Sequence, residues 1–275
     1  MNLDAAQSKK VLFVGEKIID VYHYGRVLGM PRKAPIIALE YKHTETFQGG
    51  VVAAARHAAT FCKTVHIASW QTVRKDRYIE ESYNRKLFEV YADNVALETP
   101  VLPALADYDA VVVTDYGHGM LDAALIERLQ AARFLAVNVQ TNSGNYGFNL
   151  ATKYRNVDYL CVDEPEARLA TQNQHGPIER SLEKLSAISD KAVITLGARG
   201  AIGTGNVLSP SFFGNVVDTM GAGDAFFAIT AVLAEDVPMP ELLRIGNAAG
   251  KLKAQVLGHR HAVTKNELRR YLESR

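Results

Sequence analysis

The chain has 275 residues, of which 48% are hydrophobic, and its formal net charge is +1. This length predicts one dominant compact domain, spanning residues 1–275, with at most a small appendage. The near-neutral charge and the lack of an obviously basic face argue against duplex nucleic acid as a partner.

The other bulk features suggest a cytoplasmic protein. No apolar run approaches the roughly 18 residues that a membrane span needs, and the polar start of the chain does not resemble a secretory signal. The two cysteines, Cys62 and Cys161, are far apart and flanked by apolar residues, which argues against a disulfide framework.

Strands and helices are predicted to alternate along the chain. Apolar runs without polar alternation are typical of parallel strands covered on both faces, and they lie at 11–15, 64–69, 110–115, 134–139, 159–162 and 192–197. Helical patterns occupy 50–61, 121–132, 163–171, 179–188, 223–235, 239–256 and 264–273. This alternation predicts a doubly wound α/β fold with a mostly parallel central sheet flanked by helices.

Two stretches interrupt the alternation. Residues 18–41 resemble two strands about the turn-forming sequence GMPRKAP, and residues 78–91 resemble two strands about Asn84 and Arg85. Short connections cannot bring such strands into the parallel core, so we expect a small separate β-sheet that acts as a lid. An edge extension of the main sheet is the alternative.

The strongest chemical signal is the segment NVVDTMGAGDAFFAITAVLA at 215–234. Its order is strand, glycine turn and helix, which predicts that several backbone N–H groups point together from the helix start and form an anion site. Asp224 falls in the first helical turn, where a carboxylate can take a proton from an attacking hydroxyl. A glycine-rich turn with Asp224 as an ordinary helix-start residue is the structural alternative.

The string DTMGAGDAF resembles the signature of the pfkB family, the ribokinase-like carbohydrate kinases. The resemblance covers most of the chain, because GEKIIDVYHYG, QGGVVAAARHAA, VVVTDYGHGML and VITLGARGAIG follow in the family's order. Within the family, the chain is most similar to the branch that includes the heptose-7-phosphate kinase domain. The resemblance implies a ribokinase-like fold and a sugar kinase that uses ATP and Mg²⁺.

The resemblance also implies roles for individual residues. It makes Asp224 the catalytic base and assigns the anion hole to Gly221, Ala222 and Gly223. It assigns substrate binding to Asp20, Gly49, Gly50 and Asp115. It assigns nucleotide binding to Thr195, Gly197, Gly200 and Asn247, and it makes Glu164 the acid that organises Mg²⁺ through water. The alternatives are ordinary turns for the glycines and solvated or helix-start positions for Asp20, Glu164 and Asn247.

The sugar side departs from the family pattern. Ala53, His57, His118 and Cys161 replace residues that the family or its heptose branch usually has, and the stretch between Trp70 and Tyr91 is short. Losing side chains that bond sugar hydroxyls alters substrate choice strongly. We therefore expect an intact phosphate site beside a remodelled sugar pocket.

Two further segments remain open. Basic residues near the predicted acceptor region either hold an acidic group of the substrate or form a solvated surface; they are Arg32, Lys33, Arg56, Arg74, Lys75 and Arg77. The amide-rich segment 138–149 either lines the substrate or nucleotide cleft or forms a polar loop.

The leading hypothesis is an ATP-dependent kinase that phosphorylates a hydroxyl of a sugar or sugar phosphate. A kinase for a nucleoside or another hydroxylated metabolite, and a non-catalytic binding protein that retains the fold, are the alternatives. We also expect a homodimer that forms through the lid, with an apolar face supplied by Tyr22, Tyr24, Tyr78, Tyr83 and Tyr91.

Overall fold

The structure is a computed structural model of residues 1–275, described throughout except for the side chains of 93–96. In chain order its strands are β1 (Lys10–Gly15), β2 (Lys17–Gly29), β3 (Ala38–Gly50), β4 (Thr64–Ala68), β5 (Gln71–Glu80), β6 (Arg85–Leu97), β7 (Ala110–Asp115), β8 (Leu135–Val139), β9 (Val157–Asp163), β10 (Ser189–Thr195), β11 (Ala201–Gly203) and β12 (Val207–Ser209). Its helices are α1 (Val51–Ala58), α2 (Ala123–Leu129), α3 (Glu164–Thr171), α4 (Ile178–Leu185), α5 (Ala222–Leu233), α6 (Met239–Lys253) and α7 (Lys265–Glu273).

Eight strands form the central sheet in the order β12-β11-β10-β9-β8-β7-β1-β4. All pairs from β10 to β4 are parallel, and β10, β11 and β12 pair antiparallel at one edge. The predicted doubly wound, mostly parallel sheet is therefore confirmed. Strands β11 and β12 were not predicted, because three-residue strands are too short to show a periodic pattern.

Helices cover both faces of this sheet. On one face, Phe13 of β1 lies in a core with Phe227 of α5 and Leu243 of α6. On the opposite face, Leu12 of β1 and Leu160 of β9 lie in a core with Leu182 of α4. Alternate residues of β1 thus enter different cores, which explains why the parallel strands are apolar throughout.

The remaining strands form a separate four-stranded sheet in the order β3-β2-β5-β6, which we call the small sheet. The predicted separate sheet is confirmed, and the alternative of an edge extension of the main sheet is wrong. Its strands are longer than the sequence indicated, since β3 continues to Gly50 through exposed polar residues that show no apolar periodicity. Tyr22, Tyr24 and Ile79 are buried together on its inner face.

Two other sequence expectations concern single features of the chain. Cys62 and Cys161 are free thiols, as predicted. In the described part of the chain, no helix combines the length and the apolarity that crossing a bilayer requires.

Candidate active site

The carboxyl ends of the parallel strands meet along one edge of the central sheet. Strand β1 lies between β4 and β7. The next strand of this sheet along the chain, β4, is added on one side of β1, and the later strands from β7 to β10 are added on the other side, so the strand order reverses at β1. Ligands bind at such a switch point in open α/β sheets. The loops after β7 and β8 and the small sheet all meet this edge, which places the predicted site residues near one another.

Helix α5 begins at this edge with the predicted glycine turn. Gly221 caps the helix with φ 73°, a left-handed conformation that glycine adopts without a steric penalty. The amide of Ala222 donates to the carbonyl of Thr219 at 3.1 Å, so it is not available to an anion. The amides of Gly221, Gly223 and Asp224 have no hydrogen-bond partner among the described residues, which leaves them for an anion at the positive end of the helix dipole.

Asp224 is half-buried beside these amides. Its Oδ1 accepts hydrogen bonds from Tyr116 Oη at 3.1 Å and from Gln140 Nε2 at 2.7 Å. Its Oδ2 accepts none from the described residues. Two donors thus fix the orientation of the carboxylate while one oxygen stays open to an incoming hydroxyl.

A cleft of about 690 Å³ opens on the other side of the same turn. Ala222 and Gly223 form part of its wall, whereas Asp224 does not line it. All four residues predicted to bind the nucleotide line this cleft, namely Thr195, Gly197, Gly200 and Asn247. Phe212, Phe213, Val216 and Phe226 supply apolar walls, which suits a planar base.

Two of these residues shape the cleft through the backbone. Gly200 has φ 100°, and a Cβ there would lie 2.0 Å from the carbonyl oxygen of Ser209, so no larger residue fits. Asn247 donates through Nδ2 to the carbonyls of Ser209 and Pro210 at 2.9 and 3.2 Å. Asn247 therefore fastens the loop that forms one wall of the cleft.

Glu164 also lines the cleft, at the start of α3. Its Oε1 accepts from Arg168 at 2.8 Å, and its Oε2 is paired with Arg199. No group of three or more metal-ligating side chains occurs among the residues that the structure describes. The carboxylate, held by two guanidinium groups, does not fit a direct Mg²⁺ ligand in this arrangement.

Asp20 lies on the inner face of the small sheet and is only 3% exposed. Its Oδ1 is paired with Arg77, and its Oδ2 lies 3.4 Å from His259 Nε2. Burial opposes ionisation, but the hydrogen bond from His259 and the charge of Arg77 together lower the pKa of Asp20. A Cβ at Gly49 would lie 2.3 Å from Asp20 Oδ2, so the glycine leaves room for this carboxylate.

Gly50 ends β3 with φ 61°, and a Cβ there would lie 2.3 Å from the carbonyl oxygen of Glu16. The double glycine predicted from the sequence therefore allows close packing around Asp20 and Glu16. A side chain at either position would clash with these neighbours, so both positions require glycine.

Asp115, at the end of β7, is completely buried. Its carboxylate accepts from Tyr154 Oη at 2.7 Å, from Asn149 Nδ2 at 3.1 Å and from the amide of Gly117 at 3.1 Å, and Lys153 Nζ lies 2.6 Å away. No atom of Asp115 is open to a substrate, so the expected substrate contact does not agree with this arrangement. The carboxylate anchors the loop after β7 instead.

The substituted residues have separate environments. Ala53 is buried in α1, and His57 Nδ1 accepts the amide of Val263 at 3.0 Å, so His57 joins α1 to the C-terminal segment. Cys161 is buried in β9. His118 lies in the loop after β7, and burial followed by the charge of Lys75 lowers its pKa to about 4, so it is neutral at pH 7.

The segment 138–149 combines both roles that its sequence left open. Gln140 reaches Asp224, whereas Asn142 and Asn145 donate to the carbonyl of Tyr116 at 2.8 and 3.0 Å. The contact between Gln140 and Asp224 was not predicted, because spacing alone does not show which amide of the segment points into a site.

Three other residues at the site were missed. Tyr116 is the first residue of the loop after β7 and follows Asp115 directly. Lys253 is fully buried and donates to the carbonyls of Met220 and Gly258, both at 2.7 Å, so it holds the glycine turn from behind. His259 would lie 3.1 Å from a Cβ at Gly221, and no motif marked this C-terminal residue.

Known proteins resemble this chain in sequence and in fold. The model of the pfkB family carbohydrate kinases matches residues 77–266. The protein named "Bifunctional protein HldE" from Nitrobacter winogradskyi is 25% identical over 97% of this chain, and its namesake from Wolinella succinogenes is 26% identical over 100%. This chain covers 64% and 67% of those two proteins, respectively, and so spans about two thirds of their length.

Solved structures share the fold at low identity. Ribokinase from Thermotoga maritima superposes with a TM-score of 0.73 at 16% identity, covering 96% of this chain and 99% of that one. An Arabidopsis thaliana ribokinase complexed with ribose and ATP gives a TM-score of 0.71 at 16% identity, covering 97% and 99%. The ribokinase-like fold is thus shared over nearly the whole chain.

These findings define a phosphotransferase with an alcohol group as acceptor. The chain belongs to the pfkB family of carbohydrate kinases and is a sugar kinase, as the sequence resemblance predicted.

Proposed function

We propose that the protein transfers the γ-phosphate of ATP to a hydroxyl of a sugar or sugar phosphate, with Asp224 as the base. The observation that carries this proposal is the arrangement at the start of α5. The carboxylate of Asp224 keeps one oxygen without a partner among the described residues, the neighbouring amides are also free, and Gly223 lines the apolar cleft. An acceptor hydroxyl beside Asp224 Oδ2 can then attack a phosphoryl group held by the amides.

The nucleotide would lie in the cleft, with its base between the apolar walls and its phosphates toward Gly223. The size of the cleft and the free amides support this placement. Mg²⁺ remains an expectation from the family resemblance, and because Glu164 is held by Arg168 and Arg199, we assign no step to the ion.

The small sheet would act as a lid over the acceptor. Its inner face carries Asp20, and its strand β3 runs into Gly49 and Gly50 next to α1. A lid that excludes water limits hydrolysis of ATP during the transfer. Asp20 would accept sugar hydroxyls through the lone pairs that Arg77 and His259 do not use.

The proposal is tested by substituting Asp224→Asn, which keeps the shape of the side chain and removes the base. ATP consumption is measured across a panel of sugars, sugar phosphates and nucleosides. Loss of a positioned base is expected to lower the rate by about 100-fold to 10,000-fold. The matched control is Asp190→Asn, because Asp190 is exposed in β10, away from the cleft.

Thermal shift with ATP and ADP completes the test, since a ligand that binds the folded state raises its apparent stability. If nucleotides stabilise the protein but no acceptor stimulates ATP consumption, a binding protein that retains the fold becomes the better explanation. An Asp224→Asn variant as active as the wild type contradicts the proposed base.

A further inference from the structure

Lys253 is a completely buried lysine at the last residue of α6. Its Nζ donates to the carbonyls of Met220 and Gly258, both at 2.7 Å. Among the described residues, no carboxylate forms an ion pair with this ammonium group. Because a buried charge is costly to desolvate when only neutral groups hold it, the position of Lys253 calls for an explanation.

The carboxylate of Asp218 contacts the same two residues as Lys253 does. Its Oδ1 accepts the amide of Met220 and its Oδ2 accepts the amide of Gly258, both at 3.0 Å. Asp218 thus holds the N–H groups of these two residues, whereas Lys253 holds their C=O groups. One carboxylate and one ammonium group therefore join the residue before the glycine turn to the C-terminal segment.

The carbonyl of Met220 belongs to the peptide group that opens the glycine turn. This carbonyl and the amide of Gly221 share one peptide bond, and no peptide bond among the described residues is cis. In a trans peptide the C=O and the N–H point in opposite directions, so a bond that fixes one also fixes the other. The amide of Gly221 lacks a partner among the described residues. Lys253 thus sets the direction of an amide that is free to bind an anion.

The positive charge of Lys253 also acts on this peptide group. A cation at the carbonyl oxygen polarises the peptide and strengthens its N–H as a donor, as in a chain of hydrogen bonds. The stem of Lys253 lies close behind the turn, because a Cβ at Gly221 would be 3.3 Å from Lys253 Cε. Burial lowers the pKa of Lys253, and the charges of Asp218 and Asp224 oppose this effect. The ammonium group is therefore within electrostatic range of the proposed base.

The basic residues that the sequence singled out do not supply a charge at this turn. Arg77 is paired with Asp20, and Arg74 bonds Asp76 at 2.7 Å. Lys75 is buried on the small sheet, and the other three are exposed: Arg32, Lys33 and Arg56. In the described structure none of the six donates to residues 219–224. The cation that bonds the turn is Lys253, which the sequence did not indicate.

Lys191 offers a comparison at the opposite end of α5. Its Nζ donates to the carbonyls of Ala234 and Val237, which follow the last turn of the helix. A cation is favoured there by the dipole of α5. Lys253 ends α6, where a cation is also favoured, but its ammonium group lies beside the amide end of α5, which attracts anions instead. An anion bound at that end of α5 would balance the charge of Lys253.

We propose that Lys253 is a positioning residue for phosphoryl transfer, and that its buried positive charge aims and polarises the Gly221 amide toward the phosphate that moves from ATP to the acceptor. This inference rests on the proposed function, because it assigns the free amides at the start of α5 to the transferred phosphate. Lys253 touches no substrate and acts through the peptide group that joins Met220 to Gly221. A donor that is aimed in advance stabilises the charge of the transition state without a cost of reorganisation.

The test replaces Lys253 with methionine, which keeps the length of the side chain and removes its charge and its donors. The kcat and the KM for ATP are measured with an acceptor that the wild type phosphorylates. We expect kcat to fall by about 10-fold to 100-fold, because one donor to the phosphate loses its orientation. The KM for ATP should change by less than about threefold, since the lost interaction is made mainly in the transition state. A wild-type kcat in the folded variant overturns the proposal.

The matched control is Lys191→Met, which also leaves two carbonyls without an ammonium donor. Both variants should have a lower Tm than the wild type, but Lys191→Met should keep kcat within about twofold of the wild-type value at a temperature where all three proteins are folded. An equal loss of kcat in the two variants would show that lost stability explains the effect, and it would refute the role of Lys253.

A second variant covers the case in which Lys253→Met does not fold. Lys253→Gln keeps two N–H donors for the carbonyls of Met220 and Gly258 but carries no charge. Its kcat should still fall by about 10-fold, because the Gly221 amide is less polarised. If Lys253→Gln turns over as fast as the wild type, the charge of Lys253 has no part in the reaction.

The two proposals can fail separately. If Asp224→Asn abolishes turnover and Lys253→Met does not slow it, the proposed function stands and the role of Lys253 is refuted. If the wild type phosphorylates no acceptor, calorimetry of inorganic phosphate in the presence of ADP tests the turn directly. Phosphate binding that Lys253→Met weakens by about tenfold, and that Lys191→Met leaves unchanged, supports the positioning role. Phosphate binding that is equal in Lys253→Met, or that is absent in the wild type, overturns it.

Discussion

Glu16 is the residue whose protonation depends most clearly on its surroundings at the site. It is completely buried, and its carboxylate accepts the amides of Tyr116 and His118, both at 3.1 Å. Burial first, and then the charge of Asp115, raise the pKa of Glu16 from 4.5 to about 7. The folded protein thus binds this proton more tightly than the unfolded chain does.

This shift predicts a loss of stability with rising pH. The contribution of Glu16 is fully present below about pH 4.5 and is lost as the pH rises through 7, by about 3 kcal/mol in total. Glu16→Gln should flatten the fall in unfolding free energy between pH 5 and 8 by about that amount, as measured by urea denaturation.

The control is Glu183→Gln, since Glu183 is exposed on α4. It should keep the wild-type slope. Glu166, whose pKa is raised by burial and by the neighbouring Asp163, maintains part of the slope in every variant. An unchanged slope in Glu16→Gln would show that Glu16 is ionised in the folded protein well below pH 7.

Among the elements, α5 and α6 pack closely because of one glycine. A Cβ at Gly246 would lie 2.6 Å from the ring of Phe226, closer than carbon atoms can approach. Gly246→Ala should therefore lower the unfolding free energy by about 1–3 kcal/mol, because the helices must separate or the ring must leave its rotamer. Chemical denaturation measures this loss.

Gly223→Ala is the matched control, because a Cβ at Gly223 meets no atom within 4 Å. Its stability should equal or slightly exceed that of the wild type, since alanine favours a helix. Equal stability of Gly246→Ala and the wild type would mean that the two helices adjust without cost.

The elements were predicted well where their periodicity is strong. The run at 110–115 coincides with β7, and the predicted helix at 223–235 differs from α5 by a residue or two at each end. The small sheet was predicted only in part. Strand β3 is largely exposed and polar, and the pairing of the strands depends on contacts between residues distant in sequence. Local pattern cannot report such contacts.

The site was predicted to a similar degree. The glycine turn and Asp224 follow from a local turn and helix, and all four predicted nucleotide residues line one cleft. The strand predicted immediately before the turn is wrong, because residues 210–220 form no strand. Tyr116, Gln140 and His259 come from three separate segments. Their convergence on Asp20 and Asp224 depends on the crossing of the chain at β1, which no single segment encodes.

For the whole molecule, a homodimer that forms through the small sheet remains a prediction. The structure changes which residues of the sheet could form the interface. Tyr22 and Tyr24 lie on the inner face, so they are not available to a second copy. The outer face instead exposes apolar residues of β2, β3 and β6, which a second copy could cover: Ile19, Val27, Tyr41, Phe88 and Val90.

Light scattering after size exclusion should give the mass of two chains at micromolar concentration. Replacing both Phe88 and Val90 with glutamate should yield a single-chain mass, because charge opposes burial of this face. Leu208→Glu is the control, since Leu208 is 67% exposed at the far edge of the central sheet. A wild-type mass of one chain would contradict the predicted assembly.

The connection between the two sheets has a mechanical consequence. Glu16 alone separates β1 from β2, and it holds the amides of Tyr116 and His118 while Tyr116 holds Asp224. A tilt of the small sheet about this residue would shift the amide of Tyr116, the tyrosine that also holds Asp224. If the small sheet acts as the proposed lid, its closure over an acceptor would therefore also reposition the proposed base.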